Sequence, residues 1–283
     1  MDLNAISVSR DGKWIVCGTT EGTSVWDAEV QRKVFMVDVE HDVEETAPSV
    51  WAVDVSPEST RFATGTNGRK ASIWSIVTGE RLVGPFEHDR DVMGIKFSPD
   101  GRHIATAYGD SIHIFNSYNG DQLITIKNQL PVSHWAGMTP TVWHLDSRLF
   151  ATSEDGKIKS FDTSTGSQLA ECQVHSHDSW DPMSIALPDN NSFIACSAGH
   201  SVSFWDTSTH TQLGSLLEDD DQIRCMALSP DGTHLATGEY NNRTITIWNL
   251  SDILPESNVP IKVSTTFPMF RRPTTFVYQF TFL

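Results

Sequence analysis

Residues 87–116 read EHDRDVMGIKFSPDGRHIATAYGDSIHIFN. The run opens on His88 and enters an apolar strand that ends at Phe97. Ser98-Pro99-Asp100-Gly101 then predicts a tight turn. Proline presets φ, aspartate bonds its own backbone, and glycine accepts positive φ. A second strand, a short turn and a third strand ending at Phe115 complete the pattern. In Ser111-Ile112-His113-Ile114-Phe115 polar and apolar residues alternate, the period of a half-buried strand.

Versions of this unit run the length of the chain. The turn recurs as Ser9-Arg10-Asp11-Gly12, Ser56-Pro57-Glu58-Ser59, Leu145-Asp146-Ser147, Leu187-Pro188-Asp189-Asn190 and Ser229-Pro230-Asp231-Gly232. The aromatic closing the third strand recurs as Trp26, Trp74, Phe115, Phe161, Trp205 and Trp248, at spacings of 48, 41, 46, 44 and 43 residues. Asp27, Asn116, Asp162, Asp206 or Asn249 follows it, with Ser75 the exception. Gly79, Gly120 and Gly166, five residues past the aromatic, mark another tight turn. No long stretch has helical periodicity. These features predict an all-β fold with about four short strands per unit.

Four-stranded units of about 40–45 residues closed by Trp-Asp resemble the WD40 family of β-propellers. That family places a histidine 12 residues before the turn aspartate, matched by His88, His134 and His177 before Asp100, Asp146 and Asp189. Its small hydroxyl in the second strand is matched by Thr64, Thr106, Thr152 and Thr237. The resemblance implies a propeller of about six four-stranded blades over residues 1–265. An incomplete seven-bladed ring is the alternative, because only six aromatic anchors exist and the chain starts inside a first strand. Residues 261–265 are expected to supply the sixth blade's outer strand. An irregular tail, 266–283, carries a further β-prone run at 274–283.

The departures from the family pattern are specific. The second unit's histidine is displaced to His41, and the sixth unit has Asp219 in its place. The fourth unit replaces Phe-Ser-Pro by Trp143-His144-Leu145. The family's aspartate in the second-to-third-strand turn is clear only at Asp155, with Asn242 a stand-in; Asp110 is one residue out of register. The His-Thr-Trp-Asp hydrogen-bond network is therefore expected to be incomplete in every blade.

Composition narrows the function. The chain has 283 residues, 39% of them hydrophobic, and no run of about 18 apolar residues that would span a membrane. Its first residues lack a charged-then-apolar leader, so no secretory signal is expected. Cys17, Cys172, Cys196 and Cys225 form no C-x-x-C and predict reduced thiols in a cytoplasmic or nuclear protein. The formal net charge of -16 argues against direct binding of nucleic acid. Nucleotide-binding, zinc-protease, nucleophile-elbow and dinucleotide motifs are all missing. The expectation is a non-enzyme without cofactor or metal. His175 and His177 have metal-compatible spacing, yet His177 is accounted for as the repeat histidine. Consecutive acids at 218–221 lack the turn glycine a calcium loop uses.

Placing charge on the implied fold singles out one face. The loops from each outer strand to the next inner strand are 38–45, 87–91, 128–134, 175–181 and 218–221. Together they hold 14 acidic residues and one base, Arg90, and so carry 13 of the 16 net negative charges. Acidic loops keep a β-rich protein soluble; they also suit a basic peptide or protein partner. The partner-binding candidates are Asp42, Glu44, Glu45, Asp89, Asp91, Asp178, Asp219, Asp220 and Asp221, with Trp51 and Trp180 as aromatic anchors among them.

The resemblance implies a protein-interaction scaffold. Two further readings compete with it. One is a detached or shortened sensor region of a larger multidomain signalling protein. The other is a ligand-bearing, quinoprotein-like propeller, which the mostly apolar inner strands disfavour; Asp54 and Arg224 are isolated exceptions.

Overall fold

The computed structural model describes residues 3–37, 49–127, 141–153, 156–174, 183–239 and 244–254. They form successive antiparallel meanders. Blade one holds β1 (Leu3–Val8), β2 (Trp14–Thr19), β3 (Gly22–Asp27) and β4 (Arg32–Val37), and blade two β5 (Val50–Val55), β6 (Arg61–Thr66), β7 (Lys70–Ser75) and β8 (Arg81–Glu87). Blade three holds β9 (Gly94–Phe97), β10 (His103–Tyr108), β11 (Ser111–Asn116) and β12 (Gln122–Ile126). Blade four follows with β13 (Thr141–Trp143), β14 (Arg148–Ser153), β15 (Lys157–Asp162) and β16 (Gln168–Gln173). Blade five has β17 (Met183–Ala186), β18 (Phe193–Ala198), β19 (Ser201–Asp206) and β20 (Gln212–Glu218). Blade six has β21 (Ile223–Leu228), β22 (His234–Glu239) and β23 (Ile245–Asn249), then a 3-10 turn, Leu250–Asp252. Among the described residues blade six is thus three-stranded, where four strands were expected; residues 261–265 lie outside them. The chain divides into two compact units, Met1–Glu171 and Cys172–Leu283.

The turn chemistry seen in the sequence sets the strand ends. In blade three the Ser98 hydroxyl donates to Asp100 Oδ1 (2.6 Å) and accepts from the His103 amide (2.9 Å), while the Arg102 amide donates to Asp100 Oδ1 (3.0 Å). Gly101 sits at φ 69°, and Gly12, Ser59, Ser147, Asn191 and Gly232 take the same left-handed conformation in the other blades. Blade four keeps this turn without its serine. His144 Nδ1 lies 2.6 Å from Asp146 Oδ1, which also accepts from the Arg148 amide. In blade four the His144 ring stands where the serine hydroxyl does in blade three, and the aspartate keeps its role.

At the other hairpin, the residue after each aromatic caps the turn. Asp27, Asn116, Asp162 and Asp206 each accept two backbone amides from the following three residues, and Ser75 accepts one from Thr78. Gly79 is required here twice over. Its φ is 72°, and a Cβ would meet the Phe35 ring of the preceding blade at 3.0 Å.

Within the first unit the blades are cross-linked through their inner strands. Ser7 Oγ accepts the Val55 amide, and Asp54 accepts the Phe97 amide (2.9 Å) and pairs with Lys96 Nζ (2.7 Å). Trp143 Nε1 donates to the Lys96 carbonyl. Arg61 of blade two reaches further. Its guanidinium donates to Glu58, to the Gly101 carbonyl and to the Ser117 carbonyl and hydroxyl of blade three. It also lies 4.3 Å from the Tyr118 ring centre. A buried guanidinium is tolerated because its donors are satisfied.

Candidate functional site

Of the acidic loops, those entering blades three and six are described. In blade three the His88 amide donates to the Arg69 carbonyl and the Val92 amide to the Thr66 carbonyl, so 88–92 is braced on the hairpin of blade two. The Met93 amide donates to the Ala107 carbonyl of blade three itself. Glu87, Asp89 and Arg90 are exposed, Asp91 is half-buried and His88 is buried. The loop of blade six is braced alike. The Asp219 amide donates to the His200 carbonyl and the Ile223 amide to the Gly199 carbonyl of blade five.

Below each loop lies a hydrogen-bonded network. In blade three His88 Nε2 is 2.8 Å from Thr106 Oγ1, and the Thr106 hydroxyl is aimed at the His113 carbonyl. The Tyr108 hydroxyl is 2.6 Å from His113 Nε2. The His88 ring stacks on Phe115, which stacks in turn on Phe86. Burial pushes His88 down to about 4, with His113 adding to the shift, and burial lowers His113 as well. Both rings are neutral at physiological pH.

In blade six the network ends on an acid. Trp248 Nε1 donates to Thr237 Oγ1 (3.0 Å), and the Thr237 hydroxyl donates to Asp219 Oδ2 (2.9 Å). Burial raises the Asp219 carboxyl, and the nearby Glu239 raises it further against the Thr237 bond. Asp221 is buried, and Asp220 alone of the three consecutive aspartates is exposed. Asp219 and Asp221 are therefore built into the blade, and Asp220 and Glu218 present charge outward.

The remaining blades rebuild the network where threonine is missing. In blade two Trp74 Nε1 donates to Thr64 Oγ1 (2.9 Å). Cys17 and Cys196 hold that position in blades one and five. There the indoles of Trp26 and Trp205 turn to Ser24 and Ser203, two residues earlier on their own strands. Phe115 and Phe161 carry no N–H and need no acceptor. Among the described residues no blade assembles all four members of the family's network.

Of the other sequence-selected residues, Trp51 is half-buried on β5. Asp42, Glu44, Glu45, His134, Asp178, Trp180 and His177 lie outside the described residues. Among the described residues no group of three His, Cys, Asp or Glu is placed to hold a metal ion, and no helix is long and apolar enough to cross a membrane. Sequence reasoning missed Arg61; nothing local to it signals a 56-residue reach to Ser117.

Among the described residues, six antiparallel meanders, each closed by an aromatic, define an all-β, six-bladed β-propeller. The model of the WD domain, G-beta repeat, matches residues 39–75, 80–116, 166–206 and 210–249, more than half of the chain. The chain belongs to the WD40 family. It is similar to eukaryotic translation initiation factor 3 subunit I of Emericella nidulans, 24% identical over 207 residues, which cover 67% of this chain and 59% of that protein. The same subunit of Aspergillus terreus is 26% identical over 46% of this chain and 41% of its own length. Apoptotic protease-activating factor 1 of Rattus norvegicus is 29% identical over 70% of this chain, which is 15% of that protein. The chain thus aligns with about two fifths to three fifths of the initiation-factor subunits.

Proposed function

We propose that this chain is a non-catalytic interaction scaffold in the cytoplasm whose acidic-loop face takes a basic protein segment. The observation that carries this reading is the concentration of negative charge on one set of loops of a WD40 propeller. The bracing of 88–92 and 219–223 on neighbouring hairpins supports it, because a preorganised loop loses little entropy on binding. Glu87, Asp89, Asp91 and Asp220 are the acids assigned to contact, joined by Asp42, Glu44, Glu45 and Asp178 and by the anchors Trp51 and Trp180. The likeness to a subunit of a multi-subunit initiation factor favours a place in a protein assembly.

The test is binding of an arginine- and lysine-rich peptide series to the full chain. Against it stands a variant with Glu87→Gln, Asp89→Asn, Asp91→Asn and Asp220→Asn. Affinity should fall at least tenfold in the variant and fall steeply with salt in the parent. Binding indifferent to both would sink the charge reading. The match to a stretch of apoptotic protease-activating factor 1 favours a second reading, a sensor region of a larger signalling chain. Co-purifying partners from cell extract separate the two: translation-factor subunits for the first, apoptotic signalling proteins for the second.

A further inference from the structure

We infer that blade six contains a proton-operated latch, in which Asp219 and Glu239 share one site and a proton taken up there tightens the β21–β22–β23 sheet. The geometry places both carboxyl groups on one side of the sheet. Thr237 and Glu239 are two residues apart on β22 and so point the same way. Thr246, the cross-strand partner of Thr237, donates to Glu239 Oε1 (3.3 Å), and Thr244 donates to Glu239 Oε2. Thr237 itself holds Asp219 Oδ2. Two acids are thereby drawn to one strip of threonine hydroxyls, with the Trp248 indole closing its far end.

Hydroxyl donors favour the ionised form of each acid taken alone. Two partly buried carboxylates at one strip repel, and one proton converts the pair into a donor and an acceptor. The charged and titratable groups around the pair are Glu218, Asp220 and Asp221 on its own loop. Arg224 and Cys225 stand on β21, and His200 supplies the carbonyl that receives the Asp219 amide. Three of these six add negative charge and reinforce proton uptake. The connection 240–243 lies outside the described residues.

The sign follows from Asp219 being raised by burial and by Glu239. A folded-state value above the unfolded one gives stability that is fully present below the ordinary carboxylate range. That stability is lost as pH rises through the raised value. Blade six should therefore be tighter in mild acid than at neutrality, opposite to a salt-bridged aspartate.

Amide hydrogen exchange on the full chain at pH 4.0 and 7.5, corrected for intrinsic rates, tests this. Protection of β22 and β23 amides should rise on acidification, by up to about tenfold for each unit by which Asp219 is raised. Asp219→Asn keeps an acceptor for Thr237 and removes the second charge, so its protection should not rise on acidification and should match the acidic parent's. His200, His210 and His234 are present in both proteins, so the difference isolates the pair. Parent protection that is flat or falls in acid, or an Asp219→Asn protein that keeps the parent's rise, overturns the latch. Should Asp219→Asn fail to fold, Glu239→Gln carries the same expectation. A carbon-13 titration of the parent gives the second readout: an Asp219 carboxyl titrating at or below its ordinary range overturns the inference.

Discussion

In blade three the loop after β8 sets His88 on Thr106; in blade six the loop after β20 sets Asp219 on Thr237. The two loops are braced by the same pair of backbone bonds, and the two threonines occupy the same register. The direction of the hydrogen bonds is reversed. Thr106 points its hydroxyl to the His113 carbonyl, so it accepts from His88. Thr237 accepts from the Trp248 indole and donates to Asp219. A hydroxyl both gives and takes, so one side chain fits either arrangement. What differs is the direction in which the fold shifts the group at the end: His88 is lowered by burial, and Asp219 is raised by burial and by Glu239.

The largest way to separate the two blades is to remove the shared hydroxyl. Thr237→Val strands a partly buried indole N–H and a partly buried carboxyl, and should cost about 2–3 kcal/mol in the second unit. Thr106→Val strands the His88 nitrogen, removes only a long bond to the His113 carbonyl, and should cost about 1–2 kcal/mol in the first. Hydrogen exchange resolved by unit, under increasing denaturant, measures both. Equal losses would show that the charge at the end of the network is irrelevant to its strength.

Acid probes the same contrast without mutation. His88 is lowered to about 4 chiefly by burial, from an ordinary 6.5. A depressed value gives stability that is present above 6.5 and lost as pH falls through about 4. By pH 4 the first unit should lose on the order of 3 kcal/mol from this group. Blade six, where Asp219 is raised, should instead gain as pH falls towards the ordinary carboxylate range. His88→Gln, which can still donate to Thr106, should remove most of the first unit's loss. A first unit whose protection is unchanged between pH 7 and pH 4.5 would contradict the buried neutral imidazole.

Much of this contrast was legible in the sequence because it rests on single residues at fixed spacing. The six aromatics, the turn acids and Asp219 at a histidine position could all be counted off. The turn residues are legible for a backbone reason, since each must supply an amide acceptor or a left-handed φ. His144 looked irregular because serine and proline were missing, yet His144 and Asp146 together preserve the turn. Side-chain partners chosen through cross-strand register were not legible. Whether Trp26 bonds residue 17 or residue 24 depends on which hydroxyl exists across the pair, and period-two alternation is blind to it. Glu239 is a plain strand-end acid in sequence. Its pairing with Asp219 depends on a loop 18 residues from Thr237 dropping onto the same strip. The same limit hid Arg61, whose partners lie 40 and 56 residues away.

The smallest expected effect asks whether threonine is special or merely convenient. Blade one has Cys17 where blades three and six have threonine, and the Trp26 indole is satisfied by Ser24 at 3.0 Å. Cys17→Thr offers that indole a second acceptor without removing the first. If the network matters only by satisfying a buried donor, the change is worth less than about 1 kcal/mol, since no unpaired group is rescued. Trp26 is also 38% exposed, so water already competes for its N–H. Ser24→Ala in the Cys17→Thr background should then be nearly silent, while Ser24→Ala alone should cost about 0.5–1 kcal/mol. A double-mutant cycle on these two positions, read by denaturant unfolding of the first unit, measures the coupling. A stabilisation by Cys17→Thr of about 2 kcal/mol or more, beyond what one neutral hydrogen bond supplies, would mean that the threonine does something no serine can replace. Blades three and six would then be stabilised by the threonine itself, with His88 and Asp219 as secondary additions to it.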